Sequence, residues 1–170
     1  MNVLALTVSV LLCVTSSVYA QSSLNEDPVF KTVLSRQIRY PVLAERTGVY
    51  GRIYACFKLD ERGHVQNIEV LNSRSKYGFE QAVKKGLKLL PPLNPRYAGQ
   101  YVVPIDFAYI NYNDSSEPLL PSPQPLPTLY QQGRVVLKEI RIIGNSRTYR
   151  HDGPLKPTTI DAGIARHQYL

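Results

Sequence analysis

From Tyr50 to Leu59 apolar and polar positions alternate. Ile53, Ala55, Phe57 and Leu59 share one face, and Arg52, Tyr54, Cys56 and Lys58 share the other. A two-residue period of this kind predicts a half-buried strand. Asp60-Glu61-Arg62-Gly63 follows with turn chemistry, Gly63 being suited to a positive φ in a hairpin loop. His64 to Leu71 continues as a second strand. Its apolar positions, Val65 then Ile68 and Val70, slip by one from strict alternation, which places a bulge near Gln66-Asn67. Between Tyr77 and Leu90 the period lengthens to that of a helix. Phe79, Ala82, Val83, Gly86, Leu87 and Leu90 form one stripe, Glu80, Lys84, Lys85 and Lys88 face away, and Pro91-Pro92 ends it. Alternation then returns: Val103, Ile105, Phe107 and Tyr109 oppose Val102, Pro104, Asp106 and Ala108. Pro104 has no N–H for a ladder, so this third strand is expected at a sheet edge or with that residue outward. Upstream, Asn25-Glu26-Asp27-Pro28 reads as a helix start, and Phe30, Val33, Leu34 and Ile38 recur at helical spacing up to Pro41. A brief helical turn through Leu43-Ala44-Glu45 is expected to stop at Gly48.

The order of these elements constrains the topology. Two strands joined by a tight turn are antiparallel, and a helical crossover makes the third parallel to the second and antiparallel to the first. The first strand then lies in the middle, giving sheet order 2-1-3. The expected fold is a small two-layer α+β domain over residues 28–111, with a three-stranded antiparallel sheet, helices on one face and an open edge on the third strand. Asp106 reads as a solvated or edge-protecting charge there. Pro118, Pro121, Pro123, Pro125 and Pro127 mark residues 112–132 as a semi-rigid linker. Residues 133–170 read as a tail with one further β-prone run, Val135 to Ile143, which either joins the sheet or binds elsewhere.

Val3 to Val14 is almost continuously apolar, and Val18-Tyr19-Ala20 precedes Gln21 as a plausible cleavage site. Residues 1–20 thus read as an export signal, with an uncleaved anchor as the rival reading. Either places the remainder outside the cytoplasm. Once residues 1–20 are cleaved, Cys56 has no partner for an intramolecular disulfide and reads as a strand residue. The formal net charge of +7 points, in an exported protein, to anionic envelope polymers or acidic partners and not to nucleic acid. His64, His151 and His167 are scattered, and no nucleophile elbow, phosphate-binding glycine loop or zinc motif is present. Nothing here points to an enzyme, a cofactor or a metal.

Several short patterns fall in a characteristic order: Tyr40-Pro41-x-x-Ala44, Gly48 and Gly51, Phe57-x-x-Asp60-x-x-Gly63-x-Val65, Ile68-x-Val70-Leu71-x-Ser73, then Val103-Pro104-Ile105-x-Phe107. Together, over Arg39 to Ile110, they resemble the C-terminal domain of the TonB energy-transducer family. The resemblance implies a non-enzymatic domain in the periplasm or cell envelope of a Gram-negative bacterium. It implies capture of an extended segment of an outer-membrane receptor, the TonB box, or of another envelope protein, by strand addition on the third strand. Carried over by position, the partner-binding residues are Tyr40 and Pro41 at the domain entrance and Val102, Val103, Pro104, Ile105, Asp106, Phe107 and Ala108 along the edge. The usual Trp after the second helix is replaced by Leu89-Leu90-Pro91-Pro92. The Pro-rich stretch follows the domain instead of preceding it, and only about 20 residues, at ~3.5 Å each, separate the apolar N-terminus from the domain. A receptor-binding head is therefore expected in preference to a force-transmitting arm. An anchored transducer, a structural envelope component and a homodimer stay open.

Overall fold

The computed structural model describes residues 24–72, 75–112, 117–122, 125–146 and 158–160, the last three by their backbone alone. The export or anchor segment expected at residues 1–20 lies outside the described residues. Among the described residues no helix is long and apolar enough to cross a membrane.

Helix α1 runs Pro28–Gln37. Asp27 caps it by accepting from the Phe30 N–H at 2.9 Å, with Pro28 preset for the first turn. Helix α2, Val42–Thr47, ends where Gly48 turns into the left-handed region at φ 63°. Strand β1, Val49–Leu59, and strand β2, Val65–Val70, form the expected antiparallel hairpin. Gly63 adopts φ 79°, and its missing side chain matters: a Cβ there would lie 1.9 Å from the Leu93 carbonyl oxygen. The bulge also falls where the apolar slip placed it. Cys56 faces Glu69 and Lys58 faces Gln66, so Asn67 and Ile68 oppose Phe57 alone, with Asn67 at φ 52°. Helix α3, Phe79–Lys88, crosses over to strand β3, Gly99–Ile110, which pairs antiparallel with β1 from Gly51↔Phe107 to Leu59↔Gly99. The order β2-β1-β3 is the expected one.

One core sits between helices and sheet. Phe30, Leu34 and Ile38 from α1, Phe79, Val83 and Leu87 from α3, and Ile53, Ala55, Phe57, Val103, Ile105 and Phe107 from the sheet are all buried. Each such large apolar side chain contributes about 1.5–3 kcal/mol by leaving water. The two helices touch where α3 carries Gly86, since a Cβ there would lie 2.4 Å from Ile38 Cγ1.

The sheet is wider than the expected three strands. After helix α4, Thr128–Gln131, strands β4, Val135–Val136, and β5, Ile140–Asn145, lie parallel along β3. Strand β6, Thr158–Ile160, lies parallel to the start of β1, opposite Val49 to Gly51. The expectation of an open edge on the third strand is therefore corrected: the chain's own C-terminal part occupies it. The β-prone run at 135–143 is sheet, and Leu137, Ile140 and Ile142 enter the main core. The face of the sheet opposite the helices is covered as well. Leu126 and Tyr130, from the segment expected as a semi-rigid linker, pack against Tyr54, Cys56 and Val102. Short-range periodicity marks Tyr54 and Cys56 as the outer face, but it does not reveal what lies over that face.

Candidate partner-binding edge

In a strand, the N–H and C=O of one residue point to the same side, and successive residues alternate. The Leu137 N–H donates to the Val102 carbonyl at 2.8 Å. Val102 therefore turns its polar groups outward, as do Pro104, Asp106 and Ala108, while Val103, Ile105 and Phe107 turn theirs toward β1. The missing N–H of Pro104 falls on the outer side. There the covering chain departs from the ladder: between Val102↔Val136 and Ile105↔Ile140 it uses Leu137, Lys138 and Glu139 against only Val103 and Pro104. The proline cue for an edge was physically correct, but the neighbouring strand bulges around it instead of being absent.

The side chains of β3 sort by face. Val103, Ile105 and Phe107 lie in the helix-side core, fully buried. Val102, Pro104, Asp106 and Ala108 take the opposite face and are also buried. Asp106 is 2% exposed, so the expectation of a solvated charge is corrected. Its cross-strand neighbour is Arg52. The Arg52 guanidinium grips the Asp106 carboxylate with two prongs, Nε to Oδ1 at 2.6 Å and Nη2 to Oδ2 at 2.7 Å. This hydrogen-bonded pairing raises the pKa of Arg52 further above its already high ordinary value, against the opposing effect of burial. Arg52 Nη2 also reaches Glu139 Oε2 at 2.7 Å, and Glu139 Oε1 takes Arg141 at 2.9 Å. Arg52 thus links β1, β3 and the chain entering β5. Sequence reading missed it, because Arg52 meets Asp106 only through the strand register.

Tyr40 closes the other end of the edge. Its hydroxyl donates to the Val49 carbonyl at 2.7 Å, and its ring lies edge-on to Phe107 at 5.5 Å and Phe79 at 5.8 Å between centroids. Burial, then the neighbouring Tyr109, Glu45 and Tyr50, push the Tyr40 phenol far above its ordinary pKa, so it stays neutral. The other side of the ring meets β5, where a Cβ on Gly144 would come within 2.6 Å of it. The only local sign of this was a glycine bounding a β-prone run. Pro41 is placed differently. It starts α2, accepts from the Glu45 N–H at 2.9 Å, and lies against the loop at Gly78. Tyr40 and the β3 residues come together; Pro41 stands next to Tyr40 at the start of α2, against Gly78.

Other candidates resolve as structure. Asp60 Oδ1 accepts from the N–H of Arg62 at 2.9 Å and of His64 at 2.8 Å, and these bonds hold its pKa low. The Cys56 thiol is 4% exposed and burial raises its pKa, which makes it unreactive. Among the described residues no three His, Cys, Asp or Glu side chains gather as a metal site.

The chain thus presents a small α+β sheet domain whose third strand carries an extended segment on its outer edge. Residues 36–113, a little under half of the chain, match the family model of the Gram-negative bacterial TonB protein C-terminal domain. The NMR solution structure of the Helicobacter pylori TonB C-terminal domain is similar at 26% identity, covering 45% of this chain and 85% of that one, with a TM-score of 0.35. Comparison with curated proteins gives no significant match. The family match ends before β4 and β5, so the strands that cover β3 lie outside it.

Proposed function

We propose that this chain is a non-enzymatic protein-binding domain of the Gram-negative envelope, linked to TonB-dependent transport. It takes up an extended segment of an outer-membrane receptor, or of another envelope protein, as an added strand along Val102 to Ala108. The observation that carries the reading is that this edge is built to hold a parallel strand and already holds one, β5, in continuous register from Ile105↔Ile140 to Ile110↔Asn145. Backbone groups of Val102, Asp106 and Ala108 supply ladder bonds without regard to sequence, and the flanking Arg52 and Tyr40 supply selectivity. Tyr40 and the β3 edge are the working surface; Pro41 positions Tyr40 and α2.

Site-directed photocrosslinking in the envelope tests this. A benzophenone side chain at Gln100, exposed at the start of β3, is expected to trap a receptor segment. The same group at Gln66, exposed on β2 across the sheet, is expected not to. Ala108→Pro, which removes an outward N–H and leaves the β1 side of the strand intact, should abolish the crosslink. Equal yields from Gln100 and Gln66, or a yield untouched by Ala108→Pro, would refute strand addition at this edge.

A further inference from the structure

The covering segment is itself informative about the partner. Glu139 sits on Arg52, Ile140 and Ile142 insert into the core at 6% exposure each, and Gly144 passes under the Tyr40 ring. Arg141 and Ile143 alternate outward, Ile143 at 53% exposure. Three side-chain hydrogen bonds fix the segment lengthwise. The Lys138 N–H donates to Asn25 Oδ1 at 2.7 Å, Lys138 Nζ reaches Glu26 at 2.5 Å, and the Asn145 N–H donates to Glu45 Oε1 at 3.2 Å.

We propose that Glu139–Asn145 is an intramolecular ligand, which occupies the capture edge until a partner segment of the same chemistry displaces it. This rests on the strand-capture reading and names the partner more closely. The partner is an extended peptide running parallel to β3, with a carboxylate at the Glu139 position, apolar residues at the Ile140 and Ile142 positions, and glycine at the Gly144 position. The carboxylate meets Arg52, whose second amino group is the one Glu139 uses. The glycine is required because any Cβ there overlaps the Tyr40 ring. A tethered strand competes at an effective concentration on the order of millimolar, and partner affinity falls in proportion to the fraction of molecules whose edge is open. The three contacts at Asn25, Glu26 and Glu45 set that fraction, because they hold the strand without forming part of β3.

The probe is a synthetic peptide of the Leu137–Asn145 sequence, titrated into three forms of the full chain. The first is wild type. The second is Gly144→Ala, which drives the internal strand off Tyr40. The third carries Ala108→Cys and Ile143→Cys, a register pair of β3 and β5, with Cys13→Ala and Cys56→Ala to leave one thiol pair. The peptide is expected to bind Gly144→Ala at least tenfold more tightly than wild type, and the oxidised crosslinked form not at all until reduced. Replacing Glu139 by Gln in the peptide should weaken binding severalfold, and replacing Gly144 by Ala should abolish it. Equal binding to all three forms, or none to a folded Gly144→Ala chain, overturns the proposal. Should Gly144→Ala fail to fold, amide exchange in the crosslinked pair decides. In the reduced form Asp106 and Ala108 must exchange faster than Ile105 and Phe107, and oxidation must remove the difference; equal rates in the reduced form overturn the proposal. If the opened edge binds this peptide but no receptor segment, the internal ligand stands and receptor capture fails. If receptor segments bind wild type and the oxidised form alike, capture stands elsewhere on the molecule and the internal ligand fails.

Discussion

Arg52 and Asp106 stand directly opposite in the β1–β3 register, with side chains 13% and 3% exposed. A buried ion pair does little for net stability against an apolar pair, yet removing one partner strands a charge and costs about 3–5 kcal/mol. Asp106→Ala alone is expected to lower the free energy of unfolding by an amount in that range, whereas Arg52→Met with Asp106→Leu should recover most of it. Equal losses in the single and double variants would show that the pair does not act as a unit. Asp60 gives a pH-linked expectation. Its bonds from the backbone N–H groups of His64 and Arg62 hold its folded pKa below the ordinary aspartate value. A depressed carboxylate contributes stability that is present above the unfolded pKa and lost as pH falls through the folded one. The acid limb of wild-type stability should therefore be steeper than that of Asp60→Asn below about pH 4, and parallel limbs would remove Asp60 from the account. Gly63→Ala should cost at least ~1–3 kcal/mol, because the left-handed backbone is strained for alanine and the new methyl meets the Leu93 carbonyl. A thermal melt unchanged from wild type would contradict that geometry.

At the scale of elements, local period carried the sequence reading a long way. Ile53 to Leu59 alternated and became β1; the slip between Val65 and Ile68 became a bulge at Asn67; the Phe79 to Leu87 stripe became α3. Asp27-Pro28 and Gly48 set helix ends because capping and left-handed backbone are decided by neighbouring residues. What covers a strand is decided elsewhere. The outer neighbour of Ile105 is Ile140, and no local pattern links residues so far apart. For the same reason Asp106 reads as solvated from sequence, and alternation places Tyr54 and Cys56 on the outer face without showing that Leu126 and Tyr130 pack over it. The candidate site was legible in its β3 half, through alternation and Pro104. Its Arg52, Glu139 and Gly144 half depends on long-range register.

For the whole molecule, the C-terminal part is a component of the sheet. Leu137, Ile140 and Ile142 belong to the main core, and Leu126 seals the opposite face. Removing residues 113–170 should expose Tyr54, Val102 and the outer groups of β3 together. A truncated chain is expected to be less stable and to self-associate through that edge, as unpaired strands do. Sedimentation showing a stable truncated monomer would contradict it. The same edge is where partner capture is placed, so folding and recognition compete for one row of backbone groups. The most direct measurement is NMR of the isotope-labelled Gly144→Ala chain with a receptor's extended periplasmic segment. Cross-strand contacts from the peptide to the amides of Asp106 and Ala108, in parallel register with its acidic residue beside Arg52, are the expected result. A peptide that binds without contacts to Val102–Ala108, or that fails to bind the opened edge, would contradict the account.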